Sequence, residues 1–336
     1  MTPAHAFSAR LCRVLGAALA AALALAACGD SPPSPETVLV GNTRGHNVVS
    51  LNSSTGAFLG DFIAAGSGGL TDPDDLTVGP DGHLYVSSGT PTSGQILRYH
   101  GKTGAFIGVF AQGNGMKRPY GNAFGPDGHL YVASFRSDQI LKFDGKTGAF
   151  LAVFARGDGT AGGLLNGPND LSFGPDGRLY VTTQGSVADG NGGITYLFDS
   201  QILRYSLQTG AGEVFASAPP PTPKGNGYVS ILGLAWGPDG LLYTTDYAGG
   251  IRSYDPRTSQ LQKTIDTGPL FGGSIATTLG SLSIIDKTLY VPVFNEDNTG
   301  IVANGMATCD ILAATCRLQM RDDIHLARPI GIAIAP

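Results

Sequence analysis

The sequence predicts an all-β domain, a six-bladed β-propeller of four-stranded antiparallel blades, on three observations. An eight-residue motif recurs along the chain, a second hairpin follows each copy, and the two ends each carry part of one further unit. The chain also holds 50 glycines and only 14% charged residues, a balance typical of short strands and tight turns rather than long surface helices.

The repeated motif reads GPDGHLYV at 79–86 and recurs at 125–132, 174–181 and 237–244, with a degenerate copy at 285–291. Its Pro-Asp-Gly core predicts a turn, because proline presets φ, aspartate hydrogen-bonds to nearby backbone and glycine tolerates positive φ. Apolar residues alternate on both sides, which is the period of a β-strand. Each copy therefore predicts a hairpin of two strands, A and B.

A second hairpin follows each copy and supplies strands C and D. Strand C begins at Gln95, Gln139, Gln201 and Gly250 in successive units, and the turn Gly-Lys-Thr-Gly joins C to D at 101–104 and 145–148. Successive motif copies are 46, 49 and 63 residues apart. Four-stranded units at such a spacing are typical of propeller blades.

The two ends of the chain predict how the ring closes. Residues 328–334 (RPIGIAI) match the strand A at 118–124 (RPYGNAF), and no strands B, C and D follow them. Residues 37–41, 46–51 and 56–62 supply B, C and D with no strand A before them. We expect the C-terminal strand to complete the N-terminal blade and leave no open edge. A seventh blade would require a split unit within 271–319.

Residues 1–27 are expected to be a lipoprotein signal peptide. Arg10 and Arg13 precede an apolar run at 14–27 that is too short to span a bilayer. The run ends in Leu-Ala-Ala followed by Cys28, which resembles a bacterial lipobox; an ordinary secretory signal with a chance cysteine is the alternative. Acylated Cys28 would anchor the protein to the lipid bilayer of the bacterial cell envelope. Residues 28–36 would form a tether and 37–336 the propeller.

Charge and cysteine usage narrow the function classes. Removing residues 1–27 takes away two arginines and no acid, which shifts the net charge from −5 to −7 and does not indicate a nucleic-acid surface. Cys309 and Cys316 flank a predicted hairpin tip, and in an oxidising compartment they are expected to form a disulfide. A pair of metal ligands is the other interpretation.

The fifteen residues at 118–132 (RPYGNAFGPDGHLYV) resemble the NHL repeat and the blades of gluconolactonase (regucalcin-like) propellers. The resemblance covers 37–336 and implies the same fold. In the hydrolytic relatives a calcium ion is bound at the centre of one face by Glu, Asn or Asp ahead of strand A, and such hard oxygen ligands suit calcium. Asp74 and Asn169 match that ligand position. The other blades carry residues such as Tyr120 and Leu232 there, so the four-ligand set is incomplete.

The D–A and B–C connections of a propeller share one face, where the remaining candidates are expected. Arg44 and Arg136 occupy equivalent places two residues beyond strand B and are suited to clamp a carboxylate or phosphate. Asp170 and Gln184 are further candidate ligand-binding residues on this face. Asp246, at the end of strand B in the fifth blade, is the candidate catalytic general base. A structural role, in which it orders the backbone at the rim, is the alternative.

Two insertions lengthen neighbouring connections on the same face, at 184–200 and 216–230. Their aromatic residues Tyr196, Phe198 and Tyr228 are candidate ligand anchors, because long loops on a rigid scaffold often carry binding specificity. A flexible surface without a binding role is the alternative interpretation.

Two functions remain open, and so does the question of whether the protein is an enzyme. The first is an envelope-anchored NHL-like propeller that binds a protein, peptide, glycan or small-molecule ligand on its looped face. The second is a calcium-dependent, gluconolactonase-like hydrolase of lactones or esters based on Asp74, Asn169 and Asp246, in which the ion would polarise a carbonyl and activate water.

Overall fold

The computed structural model describes residues 36–189, 193–218, 230–247, 250–271, 278–294 and 304–336. Cys28 and Tyr228 lie outside these ranges. Within them the chain forms 27 β-strands and four short 3-10 helices, at Ser67–Gly69, Phe135–Ser137, Ala161–Gly163 and Gly268–Phe271. None of the helices in the described ranges is long and apolar enough to cross a membrane.

The first thirteen strands are β1 (Thr37–Asn42), β2 (Asn47–Asn52), β3 (Phe58–Ile63), β4 (Leu76–Val78), β5 (Leu84–Thr90), β6 (Ser93–Tyr99), β7 (Phe106–Gln112), β8 (Pro119–Phe124), β9 (Leu130–Ser134), β10 (Gln139–Phe143), β11 (Phe150–Arg156), β12 (Pro168–Phe173) and β13 (Leu179–Thr183). The others are β14 (Ser186–Ala188), β15 (Ile194–Tyr196), β16 (Gln201–Tyr205), β17 (Gly212–Ser217), β18 (Ile231–Trp236), β19 (Leu242–Asp246), β20 (Gly250–Tyr254), β21 (Leu261–Asp266), β22 (Thr278–Leu279), β23 (Ser283–Ile285), β24 (Thr288–Phe294), β25 (Asn304–Asp310), β26 (Thr315–Arg321) and β27 (Pro329–Ile334).

These strands form a six-bladed β-propeller, as the repeat predicts. In order from strand A to strand D, the six sheets are β27-β1-β2-β3, β4-β5-β6-β7, β8-β9-β10-β11, β12-β13-β16-β17, β18-β19-β20-β21 and β22-β24-β25-β26. We number them blades 1 to 6. Strand A of blade 6 is in two pieces, since β23 also pairs with β24. The insertion in blade 4 adds a separate hairpin, β14–β15.

The Pro-Asp-Gly turns are held by one repeated hydrogen-bond pattern. In blade 3, the Asp127 carboxylate accepts a hydrogen bond from the His129 backbone N–H at 3.2 Å and from the Tyr131 hydroxyl at 2.8 Å. Blades 2, 4 and 5 repeat the tyrosine bond, with oxygen–oxygen distances of 2.9, 3.0 and 2.7 Å. The aspartate and tyrosine of the motif therefore stabilise the turn and fix the direction of strand B.

The same tyrosines join neighbouring blades. Tyr131 packs edge-on against Phe173 in strand A of the next blade, at 5.2 Å between ring centroids, and Tyr180 packs against Trp236 at 5.0 Å. Such edge-to-face pairs add about 0.5–1.5 kcal/mol beyond the apolar area they bury. The buried core of the described residues divides into six clusters, each shared by two adjacent blades. Blade-to-blade packing is therefore the main source of burial.

The C-terminal strand closes the ring, as predicted. Antiparallel β27 pairs with β1, with Val38 opposite Ile334 and Val40 opposite Ile332. Ile332 packs into the cluster shared by blades 6 and 1, and Ala333 packs into the cluster shared by blades 1 and 2. One short strand thus completes two of the six interfaces.

The predicted disulfide is also present. Cys309 and Cys316 lie opposite each other on β25 and β26, with a Cα–Cα distance of 4.0 Å, and their sulfurs are bonded. The bond staples the outer hairpin of blade 6 next to the closing blade.

Removal of β27 tests the closure. A chain that ends at residue 327 should lose its cooperative thermal unfolding, because β1 would have an unpaired edge and two core clusters would be incomplete. A synthetic peptide of residues 327–336 should restore the transition in circular dichroism. As the control, a chain that begins at residue 36 retains every strand and should unfold like the whole protein. An unchanged midpoint after removal of β27 would contradict this closure.

Candidate functional site

A cavity of about 720 Å³ opens on the face formed by the D–A and B–C connections. Seven residues predicted from the sequence line it: Arg44, Asp74, Arg136, Asn169, Asp170, Gln184 and Tyr196. The structure adds others that the sequence prediction missed, chiefly Asp72, Asp75, Arg118, Tyr120, Ser281 and Arg328. The wall therefore carries four arginines and four aspartates.

The entry into strand A directs several of these side chains into the cavity. Asp72, Arg118 and Arg328 each precede a proline and have left-handed backbones, with φ of 51°, 43° and 54°. Such a conformation costs a non-glycine residue on the order of 1–3 kcal/mol. This left-handed conformation recurs in three blades at the wall of one cavity. The surrounding structure therefore holds these three side chains in the cavity at a cost to the stability of the fold.

The arginines predicted at equivalent places are held by equivalent backbone contacts. The N–H of Arg44 donates to the carbonyl of Ala327 at 3.1 Å, and the N–H of Arg136 donates to the carbonyl of Lys117 at 3.1 Å. Each B–C connection is thereby fixed to the D–A connection of its own blade. The two guanidinium groups therefore start from rigid backbone positions.

Aromatic rings support the arginines of blade 3 in a four-layer stack. The guanidinium of Arg118 lies 5.5 Å from the Tyr120 ring, Tyr120 stacks on Phe135 at 4.5 Å, and the guanidinium of Arg136 lies 5.6 Å from the Phe135 ring. Arg328 lies in the same way 5.2 Å from the ring of Phe294. Arg118 Nε also donates a hydrogen bond to the Tyr120 hydroxyl at 3.2 Å. Cation–π contacts and this hydrogen bond together orient the guanidinium groups.

Arg118 also forms ion pairs with two carboxylates. Its Nη2 lies 2.5 Å from Asp72 Oδ2 and 3.8 Å from Asp74 Oδ2. Burial raises the pKa of Asp74 to about 7, and the charge of Asp72 adds to the rise, while Arg118 and Arg328 lower it. Asp74 therefore changes its charge close to neutral pH.

The hairpin β14–β15 forms one wall of the cavity through Ile194 and Tyr196. Asp138 of blade 3 contacts this hairpin, because its carboxylate accepts a hydrogen bond from the N–H of Ala188 in β14 at 3.4 Å. The same carboxylate accepts one from the N–H of Gly167, just before β12, at 2.7 Å. The Tyr196 side chain stays half exposed at the rim. The insertion thus shapes the cavity.

At the floor of the cavity, side chains alternate with glycines around the ring. The third residue of each strand A entry, from blade 1 to blade 6, is Gly331, Asp75, Gly121, Asp170, Gly233 and Ser281. A Cβ on Gly121 would lie 2.8 Å from Asp170 Cα, and one on Gly233 would lie 2.6 Å from Ser281 Cα. The axis thus has room for side chains from alternate blades only.

Below this floor lies a second cavity of about 290 Å³, which Asp75, Asp170 and Ser281 also line. These three residues separate the two cavities. Burial raises the pKa of Asp75 well above its usual range, and the nearby charge of Asp170 contributes to the rise. Burial also raises the pKa of Asp170 to about 6, against hydrogen bonds from Leu234 and Ser281 that lower it.

Asp246, the predicted general base, does not line this cavity. It is buried and forms an ion pair with Arg252, which is equally buried, and it accepts a hydrogen bond from the Gly250 N–H at 3.2 Å. A buried carboxylate paired with a buried guanidinium is suited to a structural role.

The predicted calcium site lacks its full ligand set. Asp74 and Asn169 both line the cavity, but Asp246 lies elsewhere, and the guanidinium of Arg118 approaches Asp74. Within the described ranges, no three His, Cys, Asp or Glu side chains are grouped as a metal site requires. Asp74 and Asn169 are thus the two expected ligands that line the cavity.

Comparison with known proteins supports the fold alone. No family model and no curated protein matches the sequence. A chain of the nidogen–laminin complex has a TM-score of 0.61 at 14% identity, covering 89% of this chain and 98% of that one. A protein assigned as a gluconolactonase has a TM-score of 0.52 at 16% identity, covering 70% and 73%. Virginiamycin B lyase from Staphylococcus aureus has a TM-score of 0.50 at 15% identity, covering 89% of each chain.

The alternation at the floor predicts a sharp difference between two glycine substitutions. Gly121→Ala should destabilise the protein by about 1–3 kcal/mol, because the added methyl group meets the backbone of Asp170. Gly108→Ala, in strand D of blade 2, meets nothing within 4 Å and is the matched control. Urea unfolding measures both. Equal stability of the two variants would show that the floor is not crowded.

Proposed function

We propose that this chain is an envelope-anchored, non-enzymatic propeller that binds a polar ligand in the cavity on its looped face. The ligand is a peptide, a glycan or another small molecule, either free or as a segment of a larger partner. Acylation of Cys28, which is expected from the lipobox-like sequence, would hold the propeller at a bacterial membrane. The structural neighbours include binding and enzymatic proteins, so the proposal rests on the cavity itself.

The observation that carries the proposal is that residues predicted from distant parts of the sequence line one cavity. Arg44, Arg136, Gln184 and Tyr196 come from the B–C connections of three blades, yet they line the same cavity. A volume of about 720 Å³ is within the range of ligand sites and suits a compact ligand or a short chain segment. Arginine gives bidentate recognition of carboxylate or phosphate, and aromatic side chains give apolar contact.

The rim also has the stiffness that recognition requires. The arginines of blade 3 are stacked on aromatic rings, and Asp138 of blade 3 accepts a hydrogen bond from Ala188 of the hairpin. A site that is ordered before binding loses less conformational entropy when the ligand arrives.

Peptide and glycan arrays probed with residues 36–336 test this function. We expect a bound compound whose signal falls about tenfold or more in Tyr196→Ser and Arg136→Gln, because each loses a contact at the rim. Leu312→Ser is the matched control, since Leu312 is 66% exposed and lies in the C–D turn of blade 6 on the opposite face. Failure of every compound to bind, or equal binding by all variants, would contradict the proposal.

A calcium-dependent lactonase or esterase is the second candidate. It is favoured by the presence of Asp74 and Asn169 in one cavity, and it is weakened by the placement of Asp246 outside it. Calorimetric titration with calcium separates the two functions. The binding function predicts that Asn169→Ala leaves the heat of the calcium titration unchanged. The hydrolase requires calcium binding and an EDTA-sensitive esterase activity, and both should be lost in Asn169→Ala.

A further inference from the structure

The floor of the cavity presents three oxygen-bearing side chains to the axis. Asp75, Asp170 and Ser281 come from blades 2, 4 and 6, so they surround the axis at intervals of two blades. The glycines of blades 1, 3 and 5 leave room for them. The arrangement is approximately threefold.

The hydrogen bonds at the floor leave it rich in acceptors. Asp75 Oδ2 accepts from the backbone N–H of Asn122 at 2.7 Å and from its side-chain Nδ2 at 3.2 Å. Asp170 Oδ2 accepts from the Ser281 hydroxyl at 3.0 Å and from the Leu234 N–H at 3.1 Å. Its Oδ1 accepts from the Leu171 N–H at 2.7 Å. Ser281 thus directs its hydrogen to Asp170, and the lone pairs of its oxygen stay acceptors.

Two buried side chains beside the floor lack a donor among the described residues, and an ammonium ligand could supply it. The Asp74 side chain is only 4% exposed, and its Oδ2 accepts no hydrogen bond from the described residues, with the Arg118 Nη2 at 3.8 Å. Asn122 is 2% exposed, and its Oδ1 also lacks a donor within the described ranges. Each such acceptor costs stability unless a donor reaches it. Asp74 lines the upper cavity and Asn122 the lower one.

We propose that the floor formed by Asp75, Asp170 and Ser281 is a subsite for a primary ammonium group. An ammonium group carries three N–H donors and no acceptor, which matches three acceptors placed around one axis. It would also neutralise two carboxyl groups whose charges act on each other. The inference deepens the proposed binding function, because it assigns a ligand with an amine at the floor and an anionic group at the arginine rim. Amino acids, short peptides with a free N-terminus and amino sugars with an acidic substituent have this chemistry.

A divalent metal ion is a poorer occupant of this floor. The described residues supply no group of three metal-type side chains, and Arg118 places a positive charge beside Asp74. Of the three floor residues only two are carboxylates, and Ser281 is a weak ligand for a hard divalent ion that prefers six to eight oxygens.

The test compares two cations of equal charge on residues 36–336. Methylammonium chloride should raise the thermal unfolding midpoint with the logarithm of its concentration above its Kd, since it binds the folded state. Tetramethylammonium chloride at the same ionic strength has no N–H donor and should leave the midpoint at its sodium chloride value. Equal responses to the two salts would overturn the proposal. A calcium-specific rise without a methylammonium response would also overturn it and would assign the floor to a metal ion.

Variants locate the response. Asp170→Asn should weaken methylammonium binding about tenfold or more, because a charge-assisted hydrogen bond contributes roughly 1.5–3 kcal/mol. Ser281→Ala is the second variant, which removes one acceptor and no charge, and should show a smaller loss. Asp266→Asn, at an exposed place on β21, is the matched control and should keep the full response. A full response in both floor variants would contradict the subsite.

The two proposals fail separately. Array binding that is unchanged in Tyr196→Ser and Arg136→Gln would contradict the proposed binding at the rim. A methylammonium response that depends on Asp170 would still support the ammonium subsite. Loss of the methylammonium response alone would leave the rim proposal intact and show that its ligand carries no ammonium group at the floor.

Discussion

Crowding at the propeller axis is the constraint on which the site depends. Six innermost strands converge there, and a Cβ on Gly121, Gly233 or Gly331 would come within 2.8 Å of the neighbouring blade. Side chains can therefore enter the axis from alternate blades only. Because only three of the six blades place a side chain at the axis, Asp75, Asp170 and Ser281 form the floor of a cavity and do not fill the channel.

The rim depends on a different feature, the backbone conformation of the residue just before strand A. A left-handed residue followed by proline turns the chain sharply, and Asp72, Arg118 and Arg328 line the cavity from that conformation. The stack from Arg118 through Tyr120 then fixes the charge of the rim in space. Charged groups held in this way contribute specificity because they need little rearrangement when a ligand binds. The blade-to-blade aromatic packing supplies the rigid frame beneath them.

The sequence was sufficient to predict the fold, because the turn motif, the strand period and the incomplete end units are all local signals. The strand pattern also predicts that Arg44 lies in a B–C connection, and Arg44 lines the cavity. The repeated Arg-Pro pair at 118–119 and 328–329 marks the start of strand A. Nothing local in the sequence shows that these arginines are left-handed and line the cavity. Asp246 illustrates the opposite limit, because only the three-dimensional structure shows its buried pairing with Arg252. The floor could not be predicted from the sequence, because Asp75, Asp170 and Ser281 meet at the axis only when the six blades close into a ring.

A crystal structure of residues 36–336 grown in methylammonium chloride tests the central claim most directly, that the alternating floor is a ligand subsite. If the floor binds ammonium, a non-protein atom lies within about 2.7–3.0 Å of oxygens from Asp75, Asp170 and Ser281. The same atom should be lost in Asp170→Asn crystals. A floor in which the two carboxyl groups bond directly to each other, with no space for a further atom, would contradict the claim.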